Sequence, residues 1–280
     1  RDGKKIGTLP LSEADESTLI QMMVGRELKE QYPKEQVELG EELLRVEGLT
    51  VKDSGLKDLN MSLHEGEILC IFGLLGAGRT EFARALFGID QVDSGQILIS
   101  GKRVNISSPS EAIELGLGYL TEDRAGRLVL RLPIPANITL ASLRRICRLG
   151  FLNHDAERQS AETYVRNLRI HTPHLYQRVE FLSGGNQQKV ALAKWLCSQS
   201  KILIFDEPTR GIDVGAKAEV FHLMNDLVKE GVGIIMMSGE IPEVLAMADR
   251  ILVMAGGSFV AEYARGQASQ ESLLKAAASI

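Results

Sequence analysis

Three short stretches of this chain carry residue types that act on phosphate. The first is Gly73-Leu-Leu-Gly76-Ala-Gly78-Arg79-Thr80, which follows the apolar run Ile68–Phe72. Its glycines let the backbone wrap tightly, so successive N–H groups and the start of the next helix face one anion. Thr80 offers a hydroxyl where Mg²⁺ would be liganded. Arg79 stands in the slot that a phosphate loop normally gives to lysine, and a planar fork does not replace a point charge conservatively. An ordinary glycine-rich turn would be written with the same residues. The second stretch, Lys201-Ile-Leu-Ile-Phe-Asp206-Glu207-Pro208-Thr209, sets four apolar residues ahead of adjacent acids. At the carboxyl end of a strand, Asp206 would hold Mg²⁺ through its water shell and Glu207 would polarise an attacking water. A strand ending at a polar turn is the plain alternative, and a phosphate loop in the same sheet argues against it. The third stretch, Leu182-Ser183-Gly184-Gly185-Asn186-Gln187-Gln188-Lys189, puts a capping serine and two glycines before a helix. Free N–H groups there can grip a second anion, although Ser-Gly-Gly caps are common.

The elements that must position these residues alternate in type. Leu43–Val51, Leu59–Leu63, Ile68–Phe72, Gln96–Ser100, Leu117–Leu120, Ile202–Phe205, Gly233–Met237 and Arg250–Met254 have strand patterns. Helical periodicity falls at Arg79–Phe87, Ser110–Leu115, Gly185–Cys197, Val214–Lys229 and Ile241–Ala248. Ile134–Phe181 has helical periodicity with few strand signals and is expected to be a helical insertion. Strands alternating with helices imply an α/β fold with a largely parallel sheet covered on both faces.

The two ends of the chain share a pattern. Residues 1–25 align without gaps on 255–279, pairing Gly3 with Gly257, Ile6 with Val260, Ala14 with Ala268 and Leu19 with Leu273. In each copy a hairpin-like stretch leads into a short amphipathic segment, Ser17–Met23 in the first and Glu271–Ala277 in the second. The order suggests the tail of one module ahead of a whole second one. Between them, Arg26–Gly40 is polar, contains Tyr32-Pro33-Lys34-Glu35, and has linker composition.

Composition narrows the classes. The chain has 280 residues, 44% hydrophobic and 25% charged, so it is neither disordered nor longer than one large or two ordinary domains. With 32 Lys+Arg against 37 Asp+Glu, its formal charge of −5 opposes a general nucleic-acid binder. No apolar run approaches the ~18 residues of a membrane-spanning helix. The three cysteines, Cys70, Cys147 and Cys197, are too scattered for a disulfide framework or metal cluster and fit buried thiols. His171 and His174 flank Pro173 without an acidic partner, which fits a loop better than a metal pair. Arg144, Arg145 and Arg148 fit a solvated helix face, and Trp195 fits the core.

The order of these motifs resembles the nucleotide-binding domain of ABC transporters: phosphate loop, helical insertion, Leu-Ser-Gly-Gly, then Asp-Glu-Pro-Thr. Finer stretches are similar to the second such domain in the tandem ATP-binding subunits of bacterial monosaccharide importers. These are Gly73–Glu81, Glu122-Asp123-Arg124, Leu182–Lys189 and Asp206–Lys217, while Met23–Glu27 resembles the stretch found before the linker, at the end of the first domain. The resemblance implies a P-loop NTPase fold with an antiparallel β subdomain and a helical subdomain over about 122–182. It divides the chain into the tail of a preceding domain (1–25), a linker (26–42), one domain (43–262) and a C-terminal tail (263–280).

The resemblance also assigns roles. ATP would be held by Gly73, Gly76, Gly78, Arg79, Thr80 and Glu81, with Thr80, Asp206 and Glu122 toward Mg²⁺ and Glu207 catalytic. Ser183, Gly184, Gly185, Asn186 and Gln187 would serve the nucleotide of a partner domain, and Asp213, in Gly211-Ile212-Asp213, would cross to it. Expected partners are that second domain in the same full-length chain, membrane permease subunits and, indirectly, an external sugar-binding protein, but no nucleic acid. The place would be the cytoplasmic face of the membrane. Three departures fall on one half-site: Arg79 for lysine, Gly239 where a switch histidine would stand, and no aromatic adenine platform near Val51–Ser54. A nucleotide-binding regulatory half without turnover is therefore a second reading. A cytosolic ATPase acting on DNA or ribosomes is a third, for which basic surfaces and arm-like insertions are missing.

Overall fold

The computed structural model describes residues 5–14, 18–19, 22 and 32–279. Two sheets carry the chain. The first joins β1 (Glu42–Val51), β2 (Leu56–His64), β4 (Ser94–Ile99) and β5 (Lys102–Val104) in the order β2-β1-β4-β5, all antiparallel. The second joins β3 (Ile68–Phe72), β6 (Leu117–Leu120), β9 (Ile202–Asp206), β10 (Gly233–Ser238), β11 (Arg250–Ala255) and β12 (Ser258–Ala264) in the order β12-β11-β3-β10-β9-β6. Only β12 runs antiparallel there.

β3, β9 and β10 are buried at every residue, the signature of central parallel strands covered on both faces. Their register fixes what lies at their carboxyl ends. Ser238 pairs with Phe72 and Met237 with Asp206, while Leu120 pairs with Phe205. The glycine loop after Phe72, the acids at 206–207, Gly239 and Glu122 therefore emerge side by side along one edge, where open α/β sheets bind ligands.

Helix α1 (Arg79–Leu86) opens from this edge and buries Phe82, Ala83, Ala85 and Leu86. Phe82 lies edge-on to Phe259 at 5.4 Å. Fully burying such a side chain contributes about 1.5–3 kcal/mol, so Phe82→Ala would loosen the helix under the phosphate loop. α2 (Pro109–Glu114) starts one residue earlier than expected and is capped by Ser108. The short strand β5 carries three residues, none fully buried, and had no apolar signal to announce it.

The insertion is helical but broken. α3 (Arg124–Arg127), α4 (Ile134–Thr139), α5 (Leu143–Ile146) and α6 (His154–Asn167) are interrupted by a two-stranded hairpin, β7 (Cys147–Arg148) with β8 (Phe151–Leu152). Leu149 and Gly150, at φ 52° and 82°, make its turn. Arg169, at φ 49°, follows the end of α6, and residues 168–183 hold one 3₁₀ turn at Val179–Phe181. α4 packs on α6 and on α7 (Gly184–Cys197). α8 (Val214–Lys229), α9 (Ile241–Met247) and α10 (Gln270–Ala277) complete the molecule.

At the ends, the hairpin of β11 and β12 followed by α10 is the pattern read from residues 255–279. In the other copy residues 1–4, 15–17, 20–21 and 23–25 lie outside the described residues, and these include 17, 20, 21 and 23 of the amphipathic segment. Residues 5–10 form no strand, and Leu11–Glu13 is a 3₁₀ turn. The described part of the linker is seated on the domain: Tyr32 packs on Phe221 at 5.6 Å and Lys34 Nζ donates to Asp249 Oδ2 at 2.6 Å. Position 262 lies inside β12, and Leu273 and Ala277 of α10 are buried, so the tail folds onto the sheet. Among the described residues no helix is long and apolar enough to cross a membrane.

Candidate nucleotide site and family

The phosphate loop is held from behind. Gly257 donates its N–H to Ala77 O at 3.0 Å, and a Cβ at Gly73 would stand 2.6 Å from Met254 O. Gly76 and Gly78 take φ of 81° and 107°, conformations that favour glycine. Gly78 caps α1 with no side-chain hydrogen bond, and a Cβ on Gly76 would meet nothing within 4 Å. An α-helix start without a side-chain cap, behind an open glycine turn, is suited to phosphate oxygens.

Thr80 Oγ1 donates to Asp206 Oδ2 at 2.8 Å, and the Tyr119 hydroxyl donates to the same oxygen at 3.2 Å. Burial holds the Asp206 carboxyl above its ordinary value, opposed by those two hydrogen bonds and by the nearby Arg79 charge. The Tyr119 hydroxyl is pushed far up by burial and by the Asp206 charge, so it stays a donor. A hydroxyl and a carboxylate beside a phosphate cradle are the hard oxygen donors that Mg²⁺ takes alongside phosphate and water. Among the described residues no group of three or more His, Cys, Asp or Glu could hold a metal by itself.

Glu207 sits at φ 48°, rare for a residue with a side chain and a mark of strained functional turns. Its N–H donates to Met237 O at 2.9 Å. Its Oε1 accepts from Arg79 Nη1 at 2.8 Å and from the Gly239 N–H at 2.9 Å. The residue in the lysine slot and the candidate catalytic acid thus form an ion pair, their side chains 12% and 14% exposed. Glu122 lines the same cleft as Thr80 and Tyr119, but its carboxylate is paired with Arg210. Glu81 lies in the first turn of α1, where an acid favours the helix dipole.

The Ser183 segment forms a separate feature at the start of α7. Ser183 Oγ accepts from the Asn186 N–H at 3.5 Å and from Asn186 Nδ2 at 2.9 Å. Asn186 Oδ1 accepts from the His171 N–H at 2.8 Å, and Gln187 Nε2 donates to Val179 O and Leu182 O. Gly184 is exposed and Gly185 half-buried, so the cap of α7 is ordered yet open to a partner. Asp213 caps α8 by accepting from the Ala216 N–H at 2.9 Å.

Two networks behind the site join motif residues to partners that the sequence did not announce. Glu243, fully buried, accepts from Thr209 Oγ1 at 2.8 and 2.7 Å, from Lys217 Nζ at 2.9 Å and from Ser238 Oγ at 3.2 Å. It ties the turn after Glu207 to the residue before Gly239. Gln188 joins Arg127 to Pro208 O, linking α7 to both the acid turn and the segment after Glu122. Tyr119 was equally silent; its only signal was a tyrosine inside an otherwise apolar strand.

A glycine phosphate loop and hydroxyl after β3, with adjacent acids at the end of β9 two strands away in the same parallel array, make this the P-loop fold of an ABC-type ATPase. The chain belongs to the ABC transporter family, whose model matches residues 56–210. It is 50% identical over 281 residues to ribose import ATP-binding protein RbsA 3 of Rubrobacter xylanophilus, covering 100% of this chain and 56% of that protein. It is 44% identical over 275 residues to RbsA of Bacillus subtilis, covering 98% and 56%. The chain spans about half the length of these curated relatives. Among solved structures it is similar to cbiO1 of Clostridium perfringens, part of the ABC transporter complex cbiONQ, with TM-score 0.69 and 25% identity over 84% of this chain and 94% of that one. The fold also matches the ATP-binding cassette MJ0796 bound to ADP and Pi, TM-score 0.69 at 20% identity, over 79% and 98%.

Proposed function

We propose that this chain is the second ATP-binding cassette of a sugar importer, coupling ATP binding and hydrolysis to carbohydrate uptake at the cytoplasmic face of the membrane. These relatives are ribose import ATP-binding proteins, which supports the cargo class, and the 44% and 50% identities over essentially this whole chain support the carry-over. Its partners would be a first cassette in the same full-length chain, permease subunits and, through them, an external sugar-binding protein.

Gly73, Gly76, Gly78, Arg79, Thr80 and Glu81 would hold ATP, with Thr80 and Asp206 toward Mg²⁺. Bound there, the nucleotide supplies the phosphoryl group and the ion offsets its charge. Glu207 would orient the attacking water, and Glu122 would report on the site to the permease. Ser183, Gly184, Gly185, Asn186 and Gln187, with Asp213 nearby, would complete the nucleotide site of the first cassette. The observation that carries this division of labour is the Arg79–Glu207 ion pair: the chain's own site holds its acid on an arginine, whereas the Ser183 cap of α7 is fully formed. The same pair favours a second reading, a nucleotide-binding regulatory half with no turnover. Steady-state ATPase of this chain decides between them. Turnover that Glu207→Gln abolishes sinks the regulatory reading; nucleotide binding without turnover supports it.

A further inference from the structure

Arg79 opens α1 while Glu207 and Gly239 follow β9 and β10, and the structure joins the three at one atom. Glu207 Oε1 accepts from both the Arg79 guanidinium at 2.8 Å and the Gly239 N–H at 2.9 Å. A Cβ added at Gly239 would stand 3.5 Å from Arg79 Nη2 and 3.5 Å from Glu207 Oε1. Any longer side chain at 239 would have to share that space with the guanidinium. The arginine in the lysine slot and the bare position at 239 are therefore two halves of one arrangement. The arginine lies over the bare backbone at Gly239, and its charge meets the acid there.

We propose that Arg79 is the positioning residue of Glu207, and that nucleotide phosphate must compete with the Glu207 carboxylate for the Arg79 guanidinium. This rests on the reading of Gly73–Thr80 as a nucleotide site. A lysine ammonium is a point charge on a flexible stem, whereas the guanidinium presents a planar fork that matches a carboxylate. In this partly buried setting the pair is screened less than an exposed one. Glu207 is turned onto the loop's own cation, and a phosphate that takes the guanidinium releases the acid. Glu207 thus acts on affinity before any hydrolysis.

The test uses ADP, which lacks the γ-phosphate, so effects on hydrolysis do not enter. ADP with Mg²⁺ is titrated calorimetrically into this chain, into Glu207→Gln, Glu207→Asp and Arg79→Ala, and into the Arg79→Ala/Glu207→Gln double variant, with thermal melts to confirm folding. Glu207→Gln is expected to tighten ADP about threefold or more, the size of coupling usual for contacting residues. Glu207→Asp keeps the charge but is one methylene too short for the pair, and it should tighten ADP as well. In the Arg79→Ala background Glu207→Gln should change affinity by less than half as much. Equal tightening in both backgrounds would mean simple charge repulsion and overturn the proposal, as would no tightening by Gln or by Asp. Failure of all five chains to bind ADP would instead overturn the nucleotide-site reading, and the proposal with it.

Discussion

Replacing Lys217 by methionine tests the buried network that braces the acid turn. Lys217 Nζ donates to Glu243 Oε1 at 2.9 Å and to Glu240 at 2.7 and 2.8 Å, and Glu243 is fully buried. Burial holds the Glu243 carboxyl above its ordinary value even though Lys217 and Thr209 pull it down. Removing one partner of a buried ion pair costs about 3–5 kcal/mol when the other charge is stranded. Here the acid can take up a proton and keep Thr209 and Ser238, so a net loss of about 2–3 kcal/mol is expected at pH 8. For a chain of this size that lowers Tm by roughly 4–12 °C. The pH dependence has a definite sign. A carboxyl with a raised folded value binds protons more readily when folded, so stability falls as pH rises through the window between the unfolded and folded values. Losing the lysine extends that window upward, and the deficit must be larger at pH 8 than at pH 6. Scanning fluorimetry of wild type, Lys217→Met and Lys217→Met/Glu243→Gln at both pH values measures it. A Tm drop under about 2 °C would refute the reasoning, as would a drop that is the same at both pH values and not relieved by Glu243→Gln.

Three further outcomes follow from other buried groups. Burial pushes the Lys194 ammonium down to about 8, its Nζ donating to Arg127 O at 2.8 Å. The folded chain then releases a proton that the unfolded chain keeps, so stability should rise with pH from about 8 upward. Lys194→Met should lose that rise, and parallel Tm–pH curves for the two chains would refute it. Asp206→Asn removes a buried charge that costs stability above its raised folded value. Without nucleotide its Tm at pH 7.5 should match or exceed wild type, while the added Tm from ADP with Mg²⁺ disappears; a lower Tm without nucleotide would contradict this. Gly257→Ala places a Cβ 2.1 Å from Gly55 O at φ 80°, behind the phosphate loop. Urea unfolding should show a loss of about 2 kcal/mol or more, and a wild-type midpoint would be the contrary result.

Sequence legibility followed the physics of each element. β3 and β6 were placed at their observed bounds because continuous apolar runs end at glycine or polar turns, and α8 because Asp213 caps it. β5 and the β7–β8 hairpin were not legible: three and two residues with mixed burial carry no period. The chemistry-bearing loops were legible because glycine, hydroxyl and acid must occur in fixed order around strand ends. Their mutual geometry was not. That Arg79 reaches Glu207 rather than standing free, and that Glu122 pairs with Arg210, depends on strand register. Buried partners such as Tyr119, Glu243 and Gln188 sit inside helical or strand patterns, where a polar residue does not show which way it faces.

The division of labour between the two half-sites is tested most directly by ATP turnover of this cassette joined to a first cassette and its permease. Ser183→Arg, which blocks the cap of α7, is compared there with Glu207→Gln. The account predicts that Ser183→Arg abolishes most turnover while Glu207→Gln leaves most of it. Turnover lost with Glu207→Gln and spared by Ser183→Arg would contradict it.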